Sequence, residues 1–353
     1  MNAITSSHDT PASPHRQRRK NRFGVRTRRV LLGLLITLFA LAGSGAISQV
    51  VATAVDRRTY PPPGQLVDVG GYQLHIHCMG EGSPTVILDH VGAGNAAQWG
   101  LVQPEIARTT RVCAYDRAGF GWSEAGPAPR DARQNTQELH TLLANAHIAP
   151  PYVLVGHSFG GNVTRVYVAQ YRDTVAGMVL VDPGNLYDTP GVPHEINTEW
   201  QTADQTVMRL APILSRVGLV RLAAMAGLVP GHGDLPAPVG AAYDAVNLTT
   251  KFWDTLSAQN QAFRATSAEV LGASREYGAL PLIVLSVDQP VDRSREVWTG
   301  VNAELATHST EGVHRVVVGA NHLSLAFDRD HAQATIEAIR QVVTAARSGA
   351  GLR

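Results

Sequence analysis

The sequence predicts an α/β fold: a mostly parallel, eight-stranded sheet with helices on both faces, an inserted helical cap, and one transmembrane helix ahead of it. Three observations carry this. Short apolar runs alternate with amphipathic helical patterns from residue 65 to residue 347, as crossover-connected parallel strands require. Between Val181 and Leu282 roughly a hundred residues show no strand pattern, too many for a bare loop in a compact domain. Near the N-terminus, 26 consecutive residues, Val30 to Val55, carry no charge.

Taken in order, residues 1–29 are polar and carry Arg16, Arg18, Arg19, Lys20, Arg22, Arg26, Arg28 and Arg29. Such a segment is expected to be disordered. Val30–Val55 follows, and a bilayer core needs only about 20 apolar helical residues. The arginines before it place the N-terminus in the cytoplasm and the body outside, so a single-pass membrane protein with an extracytoplasmic catalytic domain is expected. A cleaved signal is the alternative, with small-residue sites at Ser44-Gly45-Ala46 and Ala52-Thr53-Ala54. Arg28-Arg29-Val30-Leu31-Leu32 is also similar to a twin-arginine signal. Residues 56–64, with Pro61-Pro62-Pro63-Gly64, read as a stiff stalk.

Charge sharpens the division. Residues 1–58 hold ten Lys/Arg and two Asp, a net of +8, and the remainder holds 20 basic and 27 acidic residues, a net of −7. A nucleic-acid partner is thereby disfavoured, since its basic patch belongs on the folded body.

The strand candidates are Gln65–Val69, Gln73–Cys78, Thr85–Asp89, Arg111–Tyr115, Tyr152–Val155, Met178–Val181, Leu282–Ser286 and Arg315–Val318. Helical patterns between them include Arg133–Ala146, Gly161–Tyr171 and Ala332–Ala346. The core is assigned to residues 65–182 and 279–347, and the cap to 183–278. Within the cap an apolar run, Leu210–Val229, precedes a Pro/Gly-rich break at Pro230–Gly240. Two cysteines, Cys78 and Cys113, are too few for a zinc or iron–sulfur site. They form either one disulfide or two buried thiols. No metal cluster or dinucleotide fingerprint appears, so no cofactor is implied.

The informative motif is Gly156-His157-Ser158-Phe159-Gly160-Gly161. An apolar strand runs straight into it and a helix pattern follows. A nucleophilic serine on a sharp strand-to-helix turn needs small neighbours on both sides, and the helix N-terminus then aims N–H groups at developing negative charge. The serine hydroxyl also needs a base. Of fourteen histidines, His322 follows the last strand and precedes the last helix, on the edge where such sheets gather their site residues. His314 begins that strand and His331 lies in the final helix. An acid must orient the imidazole, and Asp182 and Asp288 each follow a strand; Asp292 lies too far along its loop. Asp182 is preferred, with Asp288 left open.

With Tyr115-Asp116-Arg117-Ala118-Gly119-Phe120-Gly121-Trp122-Ser123 beside the serine motif, the chain from Leu66 to Val343 resembles the α/β-hydrolase superfamily, and within it N-terminally anchored bacterial hydrolases. In most members the acid follows the seventh strand, where Ser286-Val287-Asp288-Gln289 puts Gln289 at the expected place. Some relatives use the carboxylate after the sixth strand, which matches Asp182. The resemblance implies an oxyanion hole from the N–H groups of Phe159 and, in Asp89-His90-Val91-Gly92-Ala93-Gly94, of Gly92. It also makes Cys78 and Cys113 strand neighbours, close enough to bridge.

A serine where dehalogenases and typical epoxide hydrolases place an aspartate leaves acyl transfer as the expected chemistry. An esterase- or lipase-like hydrolysis of a small-molecule ester, probed by an apolar roof of Met208, Leu210, Ile213, Leu214, Val217, Leu219, Val220, Leu222 and Met225, is the leading expectation. The roof residues could equally pack the cap onto the core. An acyltransferase or peptidase with the same triad, or a non-catalytic binding protein, are the alternatives.

Overall fold

The computed structural model describes residues 14–273, 276–288 and 295–352. Strands Gln65–Asp68 (β1), Gln73–Met79 (β2), Thr85–Asp89 (β3), Val112–Tyr115 (β4), Tyr152–His157 (β5), Val175–Val181 (β6), Leu282–Val287 (β7) and Gly312–Val317 (β8) form one sheet. Their order is β1-β2-β4-β3-β5-β6-β7-β8. β2 runs antiparallel to β1 and β4, and every other pairing is parallel. All eight expected strands are present, with shifted ends. β8 begins three residues ahead of the expected Arg315, because Gly312, Val313 and His314 pair with Leu282, Ile283 and Val284. A ladder of main-chain bonds needs no apolar side chain, so periodicity is blind to that start.

The central strands read as unbroken apolar runs because both faces are buried. One face, with Val86, Leu88, Val112, Val155, Val181 and Leu285, lies under the last helix. The other, with Ile87, Tyr115, Leu154, Leu180 and Val284, packs on Leu139, Leu142 and Leu143. Helices after the first, Pro14–Thr59 (α1), are Gln103–Ile106 (α2), Ala132–Asn145 (α3) and Phe159–Gln170 (α4). The segment between β6 and β7 folds as His194–Arg216 (α5), Leu219–Met225 (α6), Ala237–Asn247 (α7), Thr250–Gln261 (α8) and Phe263–Gly272 (α9). Arg295–Ala306 (α10), Ser324–Phe327 (α11) and Arg329–Ser348 (α12) complete the chain. In α12 the buried Ala332, Ile336, Ile339 and Val343 recur at helical spacing. Asp328 caps its start, accepting from the N–H groups of Asp330 and His331, and Gly349 ends it at φ 65°.

Cys78 and Cys113 stand directly opposite each other in the β2–β4 register and are joined as a disulfide. The alternative of two free thiols does not hold.

Two sequence expectations change. The first is the N-terminal segment, where α1 starts at Pro14 and ends at Thr59, so the expected disordered tail and the stalk each give up residues to the helix. Arg, Lys and Gln are good helix formers, proline suits a first turn, and the helix stops only before Pro61-Pro62-Pro63. Thr27–Thr59 is long and apolar enough to cross a membrane. The second is the roof. Leu210, Ile213, Leu214, Leu219, Leu222 and Met225 are exposed, whereas Val220 is buried and Met208 packs beside Phe120 and Phe252. Helical periodicity marks an apolar face without saying which way it turns.

Candidate active site

Ser158 sits between the end of β5 and the first residue of α4, at φ 54° and ψ −116°. Such a backbone is strained for any residue with a Cβ, and its surroundings hold it there. The Ser158 N–H donates to the Val181 carbonyl (3.1 Å), and the Ser158 carbonyl accepts from the N–H groups of Gly161 (2.9 Å) and Gly184 (3.0 Å). The flanking glycines have no alternative. A Cβ on Gly156 would lie 2.4 Å from the Gly160 carbonyl oxygen, and one on Gly160 would lie 2.7 Å from that of Asp89.

Asp182 follows β6 directly, also at positive φ (40°), with its N–H on the Leu285 carbonyl at 2.8 Å. His322 lies on the loop between β8 and α11, and its Nδ1 meets Asp182 Oδ2 at 2.6 Å. Nδ1 therefore donates, and a neutral ring keeps its lone pair on Nε2. Nε2 has no hydrogen-bond partner among the described residues, and the His322 side chain is 37% exposed against 8% for Asp182. Burial pushes the Asp182 carboxyl up, but the bond from His322 and the nearby charges of His322 and Arg295 outweigh it and hold it below the ordinary range. Arg295 Nη1 stands 3.8 Å from Asp182 Oδ1. His157 Nε2 donates to the His322 carbonyl at 2.8 Å. Burial, with the neighbouring His322, pushes His157 down to about 3, so it stays neutral and keeps that bond.

Asp288 is not brought to His322. It is exposed, and its Oδ1 accepts from the Gly319 N–H at 2.6 Å, pinning the turn that leads to His322. Gln289 and Asp292 lie outside the described residues.

The loop after β3 passes beside the start of α4: a Cβ on Gly92 would stand 3.5 Å from the Phe159 Cβ. Phe159 is the first residue of α4, so its N–H has no partner within the helix. The neighbouring Val91 N–H is already spent on Gln98 Oε1 at 3.0 Å. Arg117, buried to 1% exposure, holds this loop. Its guanidinium pairs with the Asp89 carboxylate and donates to the carbonyls of His90 (2.7 Å), Val91 (2.9 Å) and Gly92 (3.4 Å). Sequence reasoning used Arg117 only as part of a signature. The available clue was an arginine within an apolar, glycine-rich stretch after a strand, because a buried arginine is almost always paired. From the insertion, Gln259 Nε2 reaches the Gly92 carbonyl at 3.3 Å, which no spacing foretold.

Beside this edge lies a cavity of about 440 Å³, whose lining includes Val91 and Leu323, the chain neighbours of Gly92 and His322, with Met225, Tyr243, Phe252 and Phe327. A strained serine, a histidine–aspartate pair with an open Nε2, and the unpaired Phe159 N–H at a helix start beside the Gly92 loop can move a proton and hold an oxyanion. Among the described residues no cluster suited to a metal ion occurs.

Known proteins resemble the chain in sequence and fold. A family model described as the alpha/beta hydrolase fold matches residues 84–215. The Bacillus subtilis protein YqjL, itself uncharacterized, is 32% identical over 133 residues, which are 36% of this chain and 52% of that protein. The chain thus spans about half of that relative's length. Among solved structures, a thermophilic esterase from Thermogutta terrifontis superposes with a TM-score of 0.57 at 18% identity, covering 79% of this chain and 98% of that one. The epoxide hydrolase CorEH superposes at 0.52 and 18%, covering 79% and 98%. The sheet, its order and these likenesses give the chain the α/β-hydrolase fold.

Proposed function

We propose that this chain is a serine hydrolase that cleaves a carboxylic ester through an acyl-enzyme, with Ser158 as nucleophile, His322 as base and Asp182 as its orienting acid. The observation that carries the reading is the 2.6 Å bond from His322 Nδ1 to Asp182, which leaves Nε2 open on the edge that carries the strained Ser158. The fold alone does not choose, since both an esterase and an epoxide hydrolase resemble it. The serine on the elbow favours an ester, because a serine attacks an acyl carbon and must first lose its proton.

His322 Nε2 takes the Ser158 proton as Oγ bonds to the ester carbonyl carbon, and the carbonyl oxygen becomes an oxyanion held by the N–H groups of Phe159 and Gly92. The tetrahedral intermediate collapses, the ester C–O bond breaks, and His322 returns the proton to the leaving alcohol. Water then attacks the acyl-enzyme by the same relay, releasing the acid and restoring Ser158. Asp182 keeps Nδ1 as the donor and stabilises the imidazolium.

The same proposal places α1 as an uncleaved anchor with the body outside the cytoplasm. One bond favours retention over cleavage near Ala54: Gln49, on the side that cleavage would remove, donates from Nε2 to the Leu248 carbonyl at 2.8 Å. The Cys78–Cys113 disulfide suits an oxidising compartment.

The test is fluorophosphonate labelling and turnover of p-nitrophenyl esters of graded chain length by the full chain in detergent. Wild type should label on Ser158 and turn over, and Ser158→Ala should do neither. Adding an alcohol or amine acceptor distinguishes a transferase by its product. If wild type neither labels nor turns over, the reading fails.

A further inference from the structure

α1 does more than precede the folded body; its last turns are docked on the helical insertion. Ala42, Gly45, Ala46, Gln49, Ala52, Thr53 and Asp56 are the positions shielded there, and their spacing of three and four puts them on one face of the helix. Apart from Gln49 and Asp56 they are small, as close helix approach requires. At Gly45 the approach is so tight that a Cβ would fall 2.2 Å from the Val217 carbonyl oxygen. The insertion meets this face through Val217, Arg221 and Leu248.

The opposite side of the same turns is bare. Ile47, Val50, Val51 and Val55 are 54–70% exposed. Twenty-six uncharged residues make about 39 Å of helix, against a hydrocarbon core of about 30 Å. Charges resume at Asp56, Arg57 and Arg58, which marks the headgroup level. A hydrocarbon environment that covers Ile47 to Val55 therefore reaches the level at which Val217 and Arg221 are packed. In the chain on either side of Val217 and Arg221 the insertion exposes apolar residues of its own, Leu210, Ile213, Leu219, Leu222 and Leu228, each 48–77% exposed. A patch of this kind is unusual on a surface that faces only water. Continuity with α1 identifies what covers it.

The cavity reaches the same contact. Arg221, paired with Asp56, and Met225, 80% exposed, are both part of its lining. Its walls run from there past Phe252 and Phe327 to Val91 and Leu323.

We infer that the helical insertion sits in the membrane interface beside α1, and that the cavity takes the acyl chain of a membrane lipid ester from the bilayer to the serine edge. The substrate part rests on the hydrolase reading above, whereas the membrane contact stands on geometry alone.

Two measurements on the full chain in lipid nanodiscs test it. The chain has no free cysteine among its described residues, so a bimane probe can be placed by Ile213→Cys or Leu222→Cys, and by Gln137→Cys on the distant α3 as reference. Lipids brominated along the acyl chain should quench the first two at least about twofold more than the third, and equal quenching overturns the membrane contact. In vesicles holding a phospholipid with a pyrene-labelled acyl chain, the double variant Ile213→Asp/Leu222→Asp should lose at least about tenfold in lipid turnover. Its hydrolysis of water-soluble p-nitrophenyl acetate should stay within about twofold, which also shows that the variant is folded. Unchanged lipid turnover in that variant overturns the proposal. If wild type turns over p-nitrophenyl acetate but no lipid, the acyl-chain assignment falls while the hydrolase reading survives. Absence of turnover on both esters removes the hydrolase reading and the acyl-chain assignment with it, and the quenching result alone then decides the membrane contact.

Discussion

Two of the histidine–aspartate pairs among the described residues, His75–Asp116 at 2.8 Å and His322–Asp182 at 2.6 Å, are of nearly equal length and differ in everything else. In the first, neither side chain is exposed, and His75 Nε2 is bonded to the Pro63 carbonyl. Asp116 also accepts from the N–H groups of Ala96 (2.6 Å) and Trp122 (3.0 Å). Every polar group there is spent on holding the stalk, β2 and the loop after β4 together. In the second pair, one ring nitrogen is fixed and the other is open beside the strained serine. The distance between histidine and aspartate says almost nothing about their role; what remains unsatisfied decides it.

The strongest way to break this comparison is to replace each carboxylate by its amide. Asp182→Asn leaves the geometry but disfavours the required tautomer, and kcat on a p-nitrophenyl ester should fall about 10⁴-fold. Asp116→Asn should leave kcat per folded molecule within about threefold, and a large loss there would erase the distinction between the pairs. Next in size is stability. Each buried polar group left without its partner costs roughly 1–3 kcal/mol; Asp116→Ala strands the His75 ring and the N–H groups of Ala96 and Trp122, so it should lower the thermal midpoint by several degrees, while Asp182→Ala should lower it less because that site is partly open.

A smaller effect lies in pH. Burial pushes the Asp116 carboxyl up, but His75, His90 and the bond from the Ala96 N–H outweigh it and bring it down to about 2. A carboxyl lowered by folding stabilises the native state above its unfolded value near 4 and loses that contribution as pH falls toward 2. The thermal midpoint of wild type should therefore drop between pH 5 and pH 2.5, by an amount equivalent to roughly 2 kcal/mol from this group. Asp116→Asn should flatten that drop, and an equally steep drop in the variant would show that other groups carry it. Smallest of all, Asp288→Asn should reduce kcat less than about tenfold, since Asp288 only pins the turn before His322. A loss as deep as that of Asp182→Asn would move the acid to Asp288.

How far the residues alone revealed this site depends on what kind of information each part needs. The serine elbow and His322 were legible because chain order, strand ends and glycine spacing are local. The sequence prefers Asp182 and leaves Asp288 open, because each follows a strand and only the sheet's geometry determines which one reaches the ring. The disulfide stayed open for the same reason, since it depends on the register of β2 against β4. The apolar residues of the insertion were recognised but turned the wrong way, because amphipathic spacing gives a face and tertiary packing gives its direction. Arg117 is marked only by its charge within an apolar stretch, and Gln259 by nothing, because the Gly92 carbonyl that it holds leaves no trace in residue type.

The crowding around the elbow has a consequence for genetics. A saturation screen would find positions 156 and 160 intolerant of every replacement, since even alanine collides with backbone there. Scored by loss of function, both would pass for catalytic residues although neither carries an atom that reacts. Gly33 and Gly43, with nothing within 4 Å of a built Cβ, would accept apolar replacements freely. Intolerance at a glycine reports how much room the fold leaves, and only tolerance of a closely similar side chain can separate room from reactivity.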